Sequence, residues 1–328
     1  SDLAAMAPAG WLIADLDSGK VLAAKDAHGR YRPASTIKVL LALVALDELD
    51  LDKTVSVTAE DYSIEGDSCG TGPGGRYTNR ELLTGLVMVS GNDCASALAR
   101  ELGGTEATLT KMNTKAKSLQ AYDTRAASPS GLDAPGMSTS PYDLALIFRA
   151  AMRNETFREL IALPTFRFPG YPRNPAIHGD KDHPSYLMQT SCSLLLNGYP
   201  GMLGGKTGFT DDARKTFVGA AQRDGRKVVI VQMYGLNSKT SNDYWDQAKQ
   251  MFDYGFTAPD SDAVGTLVEP ANSSSDKPTV AADPEKASHH TASGTEDQTN
   301  WSKRVLIGLV AALVALLLAA AGMSINRR

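Results

Sequence analysis

Arg32-Pro33-Ala34-Ser35-Thr36-Ile37-Lys38 leads into Val39 to Leu49, an apolar run free of Pro and Gly. A helix starting near Ser35 sets its hydroxyl and the Lys38 amine on one face, one turn apart. A serine hydroxyl is a poor nucleophile unless a neighbouring group takes its proton, and an amine at this offset is such a group. The pattern alone is common: about one Ser-x-x-Lys arises by chance in a chain of this length. Ser274-Ser275-Asp276-Lys277 is such a copy, in a stretch without helical periodicity.

The first copy has company. Ser90-Gly91-Asn92 and Lys206-Thr207-Gly208 follow it in chain order, and the triple SxxK, SxN, KTG is the signature of serine acyl-transfer enzymes that recognise penicillin. Each piece alone has a bland reading, a turn for Ser90-Gly91-Asn92 and a strand end for Lys206-Thr207-Gly208. Their order and flanks together decide for the functional one.

The 328 residues carry 42% hydrophobic side chains and a formal charge of −4, an ordinary globular composition with room for one sizeable core or two lobes. Basic residues are scattered and the balance is acidic, which disfavours nucleic acid as the main partner. At the C-terminal end Val305 to Met323 is uncharged and is bracketed by Lys303-Arg304 and Arg327-Arg328. At helical rise it spans roughly 28 Å, close to the ~30 Å hydrocarbon core of a bilayer. The sequence therefore predicts one transmembrane helix over 305–323 and a short basic tail over 324–328, and the equal flanking charges give no orientation. Ser1-Asp2-Leu3 opens directly into globular sequence, so either a signal was removed upstream or the chain is a tail-anchored cytosolic protein. Three cysteines are too few for a disulfide framework. Cys69 and Cys94 bracket one segment and could pair outside the cytoplasm; three partly buried free thiols are the other reading.

Gly10 to Leu16 and Val21 to Ala24, split by Asp17-Ser18-Gly19-Lys20, predict a hairpin. Thr216 to Gln222 and Lys227 to Tyr234, joined through Arg223-Asp224-Gly225-Arg226, predict two more strands. Between these ends the chain is mainly helical. Thr78-Asn79-Arg80-Glu81 is a capping box before Leu82 to Val89, Ser140-Pro141 caps another helix, and a last helix spans about Asn242 to Tyr254, ending at Gly255. Strands, a helical insertion and strands again argue for an α+β core with a helical lobe, and for a ligand cleft between the lobes. From 257 to 304 the composition turns to Pro, Ser, Thr, Ala and acids, which predicts a disordered tether of roughly 40 Å reach behind a catalytic domain over 1–256.

Val89-Ser90-Gly91-Asn92-Asp93, Ser130-Gly131-Leu132-Asp133-Ala134-Pro135-Gly136 with Ser138-Thr139, and Lys206-Thr207-Gly208-Phe209-Thr210 join the Ser35 segment to make most of residues 10–256 resemble the D-alanyl-D-alanine carboxypeptidases, the low-molecular-mass penicillin-binding proteins. The Ser-Gly-Leu-Asp-x-Pro-Gly segment separates that family from the related β-lactamases. The resemblance implies a β-lactamase/transpeptidase-like fold, an antiparallel sheet flanked by helices with a helical lobe. It implies that Ser35 is acylated by a peptidoglycan stem peptide ending in D-Ala-D-Ala, or by β-lactam antibiotics as covalent inhibitors, with Lys38 as base. Ser90 would relay the proton, Asn92 position the substrate amide and Lys38, and Lys206 keep the site positive. Thr207 would bind the terminal carboxylate, Gly208 admit the substrate to the strand edge, and the N–H groups of Ser35 and Phe209 form the oxyanion hole.

Neither metal nor organic cofactor is implied, and His178 and His183 lie in a Pro- and Gly-rich loop without zinc-site spacing. Some relatives place an arginine shortly before the last helix to hold the carboxylate; near Tyr244 there is none, and Lys239 is the nearest cation preceding it in sequence. Two other functions compete. A class A-like β-lactamase needs a deacylating glutamate, which 122–137 lacks. A non-catalytic penicillin-binding sensor would have to signal through Asn326, Arg327 and Arg328 alone. The substrate places the catalytic domain outside the cell membrane, single-pass, with its signal peptide removed.

Overall fold

The computed structural model describes residues 3–235 and 244–271. The chain opens with a hairpin of β1 (Gly10–Asp15) and β2 (Lys20–Lys25). Asp15 closes its turn by accepting from the Ser18 amide and hydroxyl, and Gly19 takes a φ of +77° that a side chain would resist. A 3-10 turn over Ala34–Ile37 runs into α1 (Lys38–Glu48). The helical lobe follows: β3 (Thr54–Ser56), α2 (Ala59–Tyr62), β4 (Arg76–Thr78), α3 (Asn79–Met88), α4 (Asn92–Glu101), α5 (Thr105–Ser118), α6 (Pro141–Arg153) and α7 (Glu155–Ile161). A two-stranded arm, β5 (Thr165–Phe168) with β6 (Tyr186–Gln189), and the single turn α8 (Ser193–Leu196) lead to a meander of β7 (Met202–Thr210), β8 (Arg214–Arg223) and β9 (Arg226–Gly235). The helix α9 (Tyr244–Thr257) and a short β10 (Gly265–Thr266) complete the order.

One antiparallel sheet, β10-β2-β1-β9-β8-β7, joins the two ends of the domain. Both of its faces are covered, and the alternation of side chains along each strand assigns them. On β9, Val229 and Val231 face the helical lobe, while Val228 and Ile230 face α9. All four are fully buried, each contributing about 1.5–3 kcal/mol relative to exposure. In the lobe, α1 is buried from Lys38 to Ala45, packing against α3, α5 and α6. The capping box at Thr78 and Glu81 is formed, and so is the Ser140 cap with Pro141 in the first turn.

Three readings of the sequence change. Ser35 lies in a 3-10 turn rather than in the α-helix; with three residues per turn, this places positions i and i+3 directly above one another, so the offset to Lys38 is kept. Helix α9 runs through Gly255 to Thr257, because Gly255 packs into the sheet where a Cβ would come within 2.5 Å of Val228. Its expected first residues, 242 and 243, lie outside the described residues. Residues 258–271, expected as tether, lie against the domain: β10 pairs with β2, Leu267 is buried, and the Ala271 amide donates to the Ser118 carbonyl.

Cys69 and Cys94 are joined by a disulfide, and Cys192 is a buried free thiol. The predicted membrane helix over 305–323 and most of the tether lie outside the described residues. Among the described residues no helix is long and apolar enough to cross a membrane.

Candidate active site

Lys38 is fully buried, at 0% exposure, and its Nζ meets three oxygens: Ser35 Oγ at 2.8 Å, Asn92 Oδ1 at 2.7 Å and the Ser130 carbonyl at 2.6 Å. The last two can only accept. A neutral amine has two N–H donors and one lone pair, so the two carbonyl oxygens use both donors and leave the lone pair to the Ser35 hydroxyl. Burial pushes the Lys38 pKa well below its ordinary value, and the Lys206 cation lowers it further against the opposing pull of Asp67 and Asp93. The lowered pKa favours the neutral amine, whose lone pair then faces the Ser35 hydroxyl.

Each contact has a local origin. Asn92 opens α4 and is fixed by two bonds, its Nδ2 donating to the Glu65 carbonyl and its amide to the Asp67 carbonyl, both at 2.7 Å. The Glu65–Thr71 loop is held in turn by buried Asp93, whose carboxylate accepts from the hydroxyls of Ser68 and Thr71 and the amides of Cys69, Thr71 and Cys94. The disulfide ties the same loop to α4. Ser130 reaches Lys38 because Gly131, at φ +89°, lets the loop lie against the Ala34 carbonyl; a Cβ there would stand 2.0 Å from that oxygen. Ala34 and Ser90, neither a glycine, both take positive φ, +49° and +65°. Such conformations cost about 1–3 kcal/mol and persist where surrounding structure imposes them.

Ser90, Thr207, Gly208 and Phe209 line one cavity of about 260 Å³. Ser90 Oγ is buried without a hydrogen-bond partner among the described residues, free for a group entering the cavity. Lys206, on β7, is buried, and its Nζ donates to the Thr207 carbonyl at 2.7 Å. Burial brings its pKa down to about 7, with Asp67 and Cys192 acting in the opposite sense. Gly208 brings β7 against the Ser35 amide: a Cβ on it would lie 2.8 Å from that nitrogen. Phe209 is 58% exposed at the mouth.

The eight residues singled out in the sequence thus converge on one place. The sequence reading missed Ser130, which acts through its backbone, and Asp67 and Lys215, which line the same cavity. Lys215 sits opposite Phe209 on β8 with its Nζ 5.5 Å from the Tyr244 ring centroid, and has no carboxylate partner among the described residues. Its signal was the outward position two residues before Phe217 on a strand edging the site. Lys239 lies outside the described residues. His183 stacks on Tyr171 and pairs with Asp180, away from the cavity.

A model of the D-alanyl-D-alanine carboxypeptidase family matches residues 2–237. Among curated proteins, the chain is 50% identical over 259 residues to the D-alanyl-D-alanine carboxypeptidase DacB2 of Mycobacterium tuberculosis, covering 78% of this chain and 85% of that one. It is 30% identical to DacF of Bacillus subtilis, covering 78% of this chain and 64% of the relative. Among solved structures, a D-alanyl-D-alanine carboxypeptidase from Mycobacterium tuberculosis superposes with a TM-score of 0.73 at 48% identity, over 80% of this chain and 96% of that one. A Streptomyces DD-transpeptidase gives 0.68 at 27% identity, over 76% and 97%. The α+β fold is thus of the penicillin-binding, transpeptidase-like kind.

Proposed function

The chain belongs to the D-alanyl-D-alanine carboxypeptidase family, and on that premise we propose that Ser35 is the nucleophile through which it removes the terminal D-alanine of peptidoglycan stem peptides. It is a serine peptidase that works through an acyl-enzyme. The observation that carries the assignment is the partner set of Lys38, two carbonyl acceptors and one hydroxyl.

Ser35 Oγ transfers its proton to Lys38 Nζ and bonds to the carbonyl carbon of the penultimate D-alanine. The charge on that oxygen is met by the N–H groups of Ser35 and Phe209, worth several kcal/mol in a preorganised site. Gly131 and Gly208 support this role, since a Cβ on either would crowd the Ser35 amide, at 3.0 and 2.8 Å. The C–N bond breaks as Ser90 Oγ passes a proton to the leaving amine; Asn92 holds Lys38 and the substrate amide. Thr207 takes the terminal carboxylate, with Lys206 supplying positive charge. Water then releases the shortened peptide. In a β-lactam the same C–N cleavage opens the ring, and the leaving amine stays tethered.

Ser35→Ala tests this by intact-protein mass spectrometry with penicillin and with a D-Ala-D-Ala peptide. The covalent adduct should vanish and turnover fall by a factor on the order of 10⁶. An adduct of normal stoichiometry on that variant assigns the nucleophile elsewhere.

The catalytic domain lies outside the cell membrane, anchored through 305–323 with Arg327 and Arg328 inside. Supporting this are the apolar run itself and a substrate that is cross-linked outside the cell. Protease added to intact spheroplasts should release a penicillin-binding fragment ending between 272 and 304; release only after lysis reverses the topology.

A further inference from the structure

At the other end of the meander from the catalytic cavity lies a second one of about 590 Å³, more than twice the 260 Å³ beside Ser35. It is lined by Leu203 at the start of β7, Gln222 at the end of β8 and Lys227 at the start of β9, whereas the catalytic cavity takes Gly208 and Lys215 from the opposite ends. At strand rise, Leu203 and Gly208 are roughly 17 Å apart. The remaining wall is basic: Arg149 and Arg153 from α6 and Arg158 from α7, with Asp17 the one acid among its lining residues.

The wall is built around a buried guanidinium. Arg149, its side chain 5% exposed, donates Nε to the Leu16 carbonyl and Nη2 to the Asp17 carbonyl, which fixes its plane. Its Nη1 lies 2.7 Å from one carboxylate oxygen of Glu269, and Arg153 Nη2 lies 2.8 Å from the other. One carboxylate is therefore gripped between two guanidinium groups, the fork geometry that suits carboxylate and phosphate alike. Glu269 comes from the segment carrying β10, two residues beyond buried Leu267, and its own pKa is lowered, first by the hydrogen bond from Arg153.

Charge shows that Glu269 does not saturate the site. Lys227 is paired with Asp17, and Glu269 answers one of the three arginines. Arg158 has no acidic partner among the described residues; its Nη1 donates to the Met152 carbonyl, leaving further donors. Among the described residues two positive charges remain uncompensated, the complement of a phosphate monoester dianion.

We infer that this cavity is a second ligand site, specific for a phosphate or phosphate ester, and that Glu269, paired with Arg149 and Arg153 beside it, competes with the ligand for their donors. Arg153 and Arg158 supply the mobile donors and Arg149 the fixed one.

Titration calorimetry of the full chain with inorganic phosphate and with glycerol 3-phosphate tests the site, with thermal melting of each variant as the control for folding. Glu269→Gln removes the internal competitor and should tighten both ligands roughly fivefold. Arg153→Gln with Arg158→Gln should weaken them at least about tenfold. Tighter binding of glycerol 3-phosphate than of phosphate identifies an ester as the ligand, and equal binding identifies the free anion. Absence of binding, equal affinity in the double arginine variant, or no gain in Glu269→Gln overturns the inference.

Discussion

The Nζ of Lys38 stands 2.6 Å from the carbonyl oxygen of Ser130, so a backbone atom from a distant loop decides where the lone pair of the base points. Because that carbonyl and Asn92 Oδ1 accept only, any N–H on a neutral Lys38 is directed away from Ser35. The Lys38 amine is aimed by its neighbours rather than by its own rotamer.

The pH dependence of acylation follows from the lowered Lys38 pKa. The amine must be neutral to act, so the rate should rise with pH along a limb whose midpoint lies well below the ~10.4 of a free lysine. The Lys206 cation lowers Lys38, so Lys206→Met should move that midpoint upward. Burial lowers the Lys206 pKa to about 7, so loss of its charge should bend the profile down on the alkaline side. Penicillin acylation rates across pH measure both limbs, and an ascending midpoint near ~10 excludes Lys38 as the base.

Lys215 should hold the substrate's terminal carboxylate with Thr207, as the cation in the cavity lacking an acidic partner among the described residues. Lys215→Ala should raise KM about tenfold with kcat nearly unchanged, the pattern of lost ground-state binding. The discriminating measurement is a peptide ending in D-alanine amide: it carries no carboxylate, and its KM should not respond to the substitution.

Gly131→Ala should damage catalysis without touching a catalytic side chain. The added Cβ would lie 2.0 Å from the Ala34 carbonyl at a φ of +89°, so the loop must withdraw and take the Ser130 acceptor with it. A loss of about 1–3 kcal/mol in stability is expected from the backbone alone. Urea melts and acylation rates together should show reactivity falling further than the fraction folded.

Removing the Cys69–Cys94 bond, across a separation of 25 residues, should cost about 3.5 kcal/mol by the loop-entropy argument. Cys69→Ala with Cys94→Ala tests this in denaturant. The Glu65–Thr71 loop that orients Asn92 then keeps only its hydrogen bonds, among them those to Asp93, so the same variant should acylate more slowly.

The parts of this fold with local physics were readable in advance. Thr78 with Glu81 and Ser140 with Pro141 announce their helices through side-chain chemistry within one turn. The three motifs carry their spacing in the chain, and their meeting point follows from the resemblance. Other features depend on contacts distant in sequence. Gly255 reads as a stop signal, yet the sheet needs a residue without a Cβ there. Residues 258–271 look too polar to order, but buried Leu267 and the grip of Arg149 and Arg153 on Glu269 hold them. Ser130 contributes a carbonyl, which every residue has, so no side-chain pattern could nominate it.

The pairing of β1 with β9, Gly10 opposite Met233 and Asp15 opposite Val228, also sets a clock. Such distant contacts form late, because their loop-closure entropy must be met before they contribute. At about 5–20 residues per second, Lys206 is synthesised on the order of ten seconds after Ser35. Through that interval the chain carries Ser35 and Lys38, the proposed nucleophile and base, without the strand that presses Gly208 against the Ser35 amide. The newborn polypeptide is thus chemically silent, and reactivity toward acyl donors arrives only with its closing strands.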